Sequence, residues 1–210
     1  MDIGLYNLKY PFRKTISWIL PLVRNVSPNT ISWSLLPVGI LTALCYYQGR
    51  EHHGLYIAGA GLLFLRMIIS TLDGLMAVTF RKCSPIGEIV NRIAPELCDA
   101  MLMVAIILAE KENFEIGMLA LVICWLTSFA GLVGCAGGKP IQSVGPAGQT
   151  DRIAVLLILS LLTPLEAFFL EPFDILYWFL WWCVIGGIAT IFIRFSRQLS
   201  GKNEPRAIGD

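Results

Sequence analysis

The stretch "STLDGLMAVTFRKCSPIG", Ser70–Gly87, decides how this chain is read. Its Asp73–Gly74 pair closes an apolar run, Leu55–Val78, that is long enough to cross a bilayer, which takes about 20 residues. A carboxylate within such a run is expensive, so it faces a bundle interior and marks a site. The polar link "TFRKCSP" follows at once, carrying Arg81 and Lys82, and a second apolar run opens at Gly87. A link this short makes the two runs neighbouring antiparallel helices.

Working outward, six windows have this length and character: Asn29–Tyr47, Leu55–Val78, Gly87–Ala109, Phe114–Cys135, Asp151–Phe169 and Phe173–Ile193. The composition agrees. Of 210 residues, 56% are hydrophobic and 15% charged, against about 25% charged in an ordinary soluble domain. Mean hydropathy is +0.68. The expected fold is an all-α integral membrane protein, six transmembrane helices preceded by an amphipathic interfacial helix. Its parts are residues 1–28 as the juxtamembrane segment, 29–198 as the bundle, and 199–210 as a polar cytoplasmic tail. The interfacial helix is read from "NLKYPFRKTISWILPLVRNV", which mixes Lys9, Arg13, Lys14 and Arg24 with Tyr10, Phe12, Ile16, Trp18, Ile19 and Leu20. "SPNT", Ser27–Thr30, supplies start signals for the first span.

Net charge is +1, which gives no global basic field and no reason to expect nucleic acid. The distribution is more useful. Twelve of the sixteen Lys and Arg fall on the side of both termini, the second link and the fourth link, so both termini are expected in the cytoplasm. Tyr177, Trp178, Trp181 and Trp182 then suit the outer interface. The six cysteines have no metal-ligand spacing and read as small reduced hydrophobes. No removable signal peptide is expected. His52 and His53 read as solvated.

The remaining charges lie within the second and third spans. Arg66, Ser70, Asp73 and Ala77 recur along one face of the second. Asn91, Pro95 and Asp99 form one stripe of the third, and Glu88, Arg92 and Glu96 the next. Counted inward from Val78 and Gly87, Asp73 and Arg92 lie at one depth, and Arg66 and Asp99 at another. Two cross-helix ion pairs are therefore expected, Asp73–Arg92 and Asp99–Arg66, with Glu88 and Glu96 near Arg92 at i±4.

The spacing D-G-x2-A-x9-G, from Asp73 to Gly87, resembles the CDP-alcohol phosphotransferase family, whose signature is D-x2-D-G-x2-A-R-x8-G-x3-D-x3-D. Here that signature reads Ser70, Asp73, Gly74, Ala77, Val78, Gly87, Asn91 and Pro95. The amphipathic N-terminal segment, "SPNTIS" and a glycine-rich fourth link extend the likeness over most of the chain. The resemblance implies a transferase of phospholipid biosynthesis. An alcohol attacks the β-phosphorus of a CDP-linked donor such as CDP-diacylglycerol, CMP leaves, and a phosphodiester forms. It implies membrane lipids as surroundings, a bacterial inner membrane as location, and a homodimer, to which Gly186 and Gly187 in the sixth span could contribute. The acceptor alcohol is not legible.

By the same resemblance, Ser70, Gly74, Ala77, Arg81, Gly87 and Arg152 are expected to bind substrate, and Asp99 and Glu96 to be catalytic. Asp73, Asn91, Glu96 and Asp99 are the candidate ligands of Mg²⁺ or Mn²⁺. The departures bear on that metal. The family sets four aspartates against two divalent cations, whereas Asp73, Glu96 and Asp99 bring three charges and Arg92 removes one, so at most one ion is expected. In "GPAGQTDR", Gly145–Arg152, Gln149 stands where the family often has lysine. Arg152 reads either as a donor-phosphate contact or as a cytoplasmic-side marker beside an Asp151 helix cap. The alternative to an enzyme is a catalytically impaired relative that binds lipid or nucleotide, or serves as a partner subunit.

Overall fold

The computed structural model describes residues 9–163 and 174–200. Every regular element among them is a helix. The α-helices are α1 Lys9–Ile16, α2 Leu20–Val23, α3 Pro28–Trp33, α4 Leu35–Gly49, α5 Gly54–Thr79, α6 Pro85–Ala109, α7 Phe114–Leu132, α8 Gln149–Leu162 and α9 Ile175–Ser200. Among the described residues, four stretches are long and apolar enough to cross a membrane: Pro28–Gly49, Gly54–Thr79, Lys111–Ala136 and Ile175–Ser200. Helix α6 has the length, 25 residues, but carries Glu88, Arg92, Glu96 and Asp99. Helix α8 has 14 residues, and the rest of the expected fifth window, to Phe169, lies outside the described residues. So do residues 201–210 of the expected tail. Ile40, Leu44, Phe64, Trp125, Phe129, Ile185 and Phe192 are all exposed. Helices apolar on their outer faces suit lipid rather than water.

The chain divides into two compact units, one of Leu8–Ala109 and one that takes up the chain again from Glu110. In the first unit, Ser27 caps α3, its hydroxyl accepting from the Thr30 amide at 3.1 Å, with Pro28 at the first helical position. Helix α3 runs almost directly into α4 through Ser34, whose amide donates to the carbonyls of Thr30 and Ile31. Helix α4 packs along both α5 and α6, while α5 and α6 touch each other only sparingly. The α4–α6 approach is close. A Cβ on Gly39 would stand 2.7 Å from Cys98 Sγ, and that thiol donates to the Leu35 carbonyl at 3.1 Å. Leu35, Val90, Ala94 and Cys98 form one apolar cluster, and Ile31, Leu72 and Met76 another. Ile19, Leu20 and Val23 of the N-terminal segment pack on the second cluster, while Trp18 and Leu22 are exposed.

Helix α5 ends in a Schellman turn. The Lys82 amide donates to the Ala77 carbonyl at 2.9 Å and the Arg81 amide to Val78 at 3.2 Å. Arg81 itself is left-handed, with φ of 54°, where glycine is usual. Lys82 then ties the link to the N-terminal segment, its Nζ donating to the Arg24 carbonyl at 2.7 Å.

In the second unit, α7 packs on α9. Gly187 permits this, since a Cβ there would lie 2.4 Å from Ile123 Cγ2, and one on Gly186 would lie 3.0 Å from Ala147 Cβ. These two glycines are buried inside the unit, so the expected use of them in a dimer contact is corrected: the small residues admit α7 and the loop before α8. Asp174 caps α9, its carboxylate accepting from the Tyr177 amide at 2.9 Å. All six cysteines are free, Cys98, Cys124 and Cys183 buried, Cys83 and Cys135 exposed.

Candidate functional site

The signature positions collect on the facing sides of α5 and α6 in the first unit. Asp73 is buried at 2% exposure. One of its oxygens accepts from Ser32 Oγ at 2.6 Å and the other from the Gly74 amide at 2.6 Å. Ser32 sits on α3, which packs against both α5 and α6. Gly74 is half-buried, and the nearest atom to a Cβ built on it is Asn91 Nδ2, at 3.8 Å. Asp73, Gly74, Ser32 and Asn91 thus form one polar group with open room beside the glycine. Ser70 and Ala77 are half-buried on the same helix, Arg81 is exposed in the link, and Gly87 abuts Asn29, whose Oδ1 would lie 2.6 Å from an added Cβ. Gly87 therefore has a packing reason of its own.

A second polar group lies seven residues deeper on α5, roughly 10 Å of helix rise. Arg66 Nη2 donates to Asp99 Oδ1 and to the Pro95 carbonyl, the latter at 3.0 Å. Arg66 and Asp99 are 5% and 7% exposed. Pro95 is buried within α6, where it has no amide to offer the Asn91 carbonyl one turn back. Glu96 is half-buried beside it.

The expected Asp73–Arg92 pair is not formed. Arg92 donates to Glu88 on its own helix at 2.8 Å, and both side chains are exposed, 41% and 69%. The cause is the packing order. Helix α3 supplies Ser32 to Asp73, and Arg92, close to the start of α6, finds Glu88 one turn away without crossing between helices.

Arg152, named with these residues from the sequence, belongs to the second unit. It is buried, donating to Thr127 Oγ1 at 2.9 Å and to the Ala147 carbonyl at 3.1 Å. Its guanidinium is therefore engaged by oxygens of the protein itself. The cap of α8 is Gly148, not Asp151; Asp151 stands in the first turn, buried, where the helix dipole favours an anion.

The sequence reading missed a polar stripe on α9. Thr190, Arg194 and Gln198 are spaced by four and are all buried. Arg194 donates to the carbonyls of Val144 at 3.0 Å, Ser143 at 3.1 Å and Thr127 at 2.5 Å. Thr190 Oγ1 accepts from the Ala147 amide at 3.0 Å, and Gln198 Nε2 donates to the Ala130 carbonyl at 2.9 Å. Lys139 reaches the Gln198 carbonyl. Gly145, with φ of 135°, lets the loop lie against Thr190, where a Cβ would approach within 2.4 Å. The i, i+4, i+8 spacing was the available signal.

A divalent cation prefers several hard anionic oxygens converging on one point. Among the described residues no three His, Cys, Asp or Glu side chains gather in that way. Asp73 holds a hydroxyl and an amide, Asp99 holds a guanidinium, and Ser70, Asn91 and Pro95 bring no charge. The residues present do not fit a pair of divalent cations.

Comparison with known proteins places this geometry. Over 155 residues, 72% of this chain and 76% of the other, the sequence is 26% identical to inner membrane protein YnbA of Escherichia coli (strain K12). The fold matches that of Mycobacterium tuberculosis phosphatidylinositol phosphate synthase (PgsA1) with CDP-DAG bound, at TM-score 0.69 and 16% identity, over 93% of this chain and 98% of that one. The same enzyme in complex with manganese and citrate gives TM-score 0.69 and 15% identity, over 92% of both chains. No family model matches the sequence. The fold is therefore that of a phosphatidylinositol phosphate synthase, as the resemblance to the CDP-alcohol phosphotransferases implied.

Proposed function

We propose that this chain handles a CDP-linked lipid donor such as CDP-diacylglycerol in phospholipid biosynthesis, passing its phosphatidyl group to an alcohol with release of CMP. The observation that carries the reading is the coincidence of two independent facts. The fold matches a solved synthase over nearly its whole length, and the D-G-x2-A-x9-G spacing falls on the facing sides of α5 and α6, with room left beside Gly74. Donor phosphate would lie beside Gly74, where no side chain obstructs the backbone. Arg81, exposed in the link, would approach it from the aqueous side. In this reading Glu96, half-buried beside Pro95, takes the alcohol's proton, and Asp99 is oriented by its contact with Arg66.

The surrounding architecture we propose is six crossings of a bacterial inner membrane, with α6 and α8 completing the four apolar stretches. Residues 1–28 form the juxtamembrane segment, with Trp18 and Leu22 turned to the lipid interface, 29–198 the bundle, and 199–210 a cytoplasmic tail. Arg81, Lys82 and Lys139 put the donor side in the cytoplasm. A homodimer is part of the proposal, through a surface other than Gly186 and Gly187.

A second reading has one specific observation in its favour. Asp99 is engaged by Arg66 and Pro95 replaces an acid, and in this second reading the chain holds donor without transferring it, as a binding or partner subunit. The experiment is release of CMP from CDP-diacylglycerol by purified protein in lipid nanodiscs, offered polyols, amino alcohols and sugar phosphates, with and without Mg²⁺ or Mn²⁺. Release that disappears in Glu96→Gln supports transfer. Donor binding with no CMP from any acceptor supports the second reading, and no binding at all removes both.

A further inference from the structure

The acids of the first unit are already engaged by donors of the protein itself. Asp73 accepts from Ser32 and Gly74, and Asp99 from Arg66. Arg66 is held through one nitrogen of its guanidinium, since the Nη2 that meets Asp99 also donates to the Pro95 carbonyl at 3.0 Å. We infer that this site takes its anionic ligand without a divalent cation, because the carboxylates that would hold one are already engaged by Ser32, Gly74 and Arg66. The inference rests on the proposed function only for the identity of the ligand.

Three features carry it. The first is charge. Asp73, Asp99 and the half-buried Glu96 contribute three negative charges and Arg66 cancels one, so the facing sides of α5 and α6 carry −2 at most, half of what a pair of dications requires. A dication would have to draw Asp73 and Asp99 away from Ser32, Gly74 and Arg66, and would be repelled by the guanidinium in a region where such interactions are poorly screened. The second is donor chemistry. Ser70, Asn91 and Pro95 replace charged oxygens by a hydroxyl, an amide and a ring with no side-chain ligand, and no group of three acidic or other ligating side chains forms among the described residues. The third is interchange of roles. A guanidinium binds a carboxylate through directed N–H donors and keeps its charge at any accessible pH, which a bound metal matches only when several carboxylates surround it.

The test uses the full chain purified in detergent and Mn²⁺ alone, followed by the electron paramagnetic resonance signal of free Mn²⁺. No saturable Mn²⁺ site is expected in the parent protein. Saturable binding that disappears in Asp73→Asn would overturn the inference. Arg66→Gln removes the competing charge and frees Asp99, so a saturable Mn²⁺ site should emerge in the folded variant; no Mn²⁺ binding in that folded variant would contradict the role given to the guanidinium. If Arg66→Gln does not fold, the parent titration decides alone. A second arm measures CDP-diacylglycerol binding in nanodiscs. Equal binding in EDTA and in Mn²⁺ is expected, and loss of binding in EDTA would overturn the inference. Absence of donor binding in both buffers, with no Mn²⁺ site, would leave the metal-free site standing and remove the proposed ligand.

Discussion

The two units bury arginines in different ways. In the first, Arg66 meets a side chain, Asp99, and a single carbonyl. In the second, Arg194 donates to three backbone carbonyls, those of Thr127, Ser143 and Val144. The first arrangement joins two helices by charge. The second straps a glycine-rich loop to α9 by satisfying the Ser143 and Val144 carbonyls, and ties α9 to α7 at Thr127. A side-chain pair can be replaced as a pair, whereas backbone carbonyls cannot be substituted away. The two units should therefore respond differently to the same kind of mutation.

The largest effect is expected at Arg66. Arg66→Ala strands Asp99 inside the bundle and should cost about 3–5 kcal/mol, read as a fall in the thermal midpoint in detergent. Arg66→Met with Asp99→Leu replaces the pair by apolar groups and should recover most of that loss. A double variant no more stable than Arg66→Ala would break the comparison. Arg194→Ala comes next, at about 2–3 kcal/mol, because three carbonyls lose their donor. Those three carbonyls cannot be substituted away, and Arg194→Lys, with one ammonium in place of a fork, should recover only part.

Glycines sharpen the contrast. A Cβ on Gly131 would lie 2.5 Å from the Gln142 carbonyl oxygen. That atom is backbone and cannot swing aside, so Gly131→Ala should cost about 1–3 kcal/mol. A Cβ on Gly74 meets nothing nearer than 3.8 Å, so Gly74→Ala should be neutral or stabilising by up to about 1 kcal/mol through helix propensity. Equal losses at the two positions would mean that the first unit has no room beside Gly74. The smallest effect is at Arg81. Its left-handed backbone favours glycine, so Arg81→Gly should stabilise by about 1 kcal/mol while weakening donor binding. A stability gain with donor affinity unchanged would remove Arg81 from the site.

The helices and the polar face of α5 were legible because apolar length and helical spacing are local properties of the chain. The Arg66–Asp99 pair was legible too, since depth along two antiparallel helices follows from residue counts. The partner of Asp73 was not. Ser32 is 41 residues away, and its reach depends on α3 and α4 lying against both α5 and α6, which no periodicity announces. The same blindness affected Arg152 and Arg194. Counted as charges on one side of a membrane, they are buried and bound to the protein's own oxygens, because the loop of residues 138–148 folds onto α9.

Donor binding beside Gly74 is the claim on which the functional reading stands, and one titration tests it. CDP-diacylglycerol affinity is measured by calorimetry for parent protein and for Gly74→Leu in nanodiscs, with Gly131→Ala as a variant altered elsewhere. A leucine fills the space beside the Asp73–Gly74 backbone, so affinity should fall by about tenfold or more for Gly74→Leu and stay at the parent value for folded Gly131→Ala. Parent-like affinity in Gly74→Leu would contradict a donor site between α5 and α6.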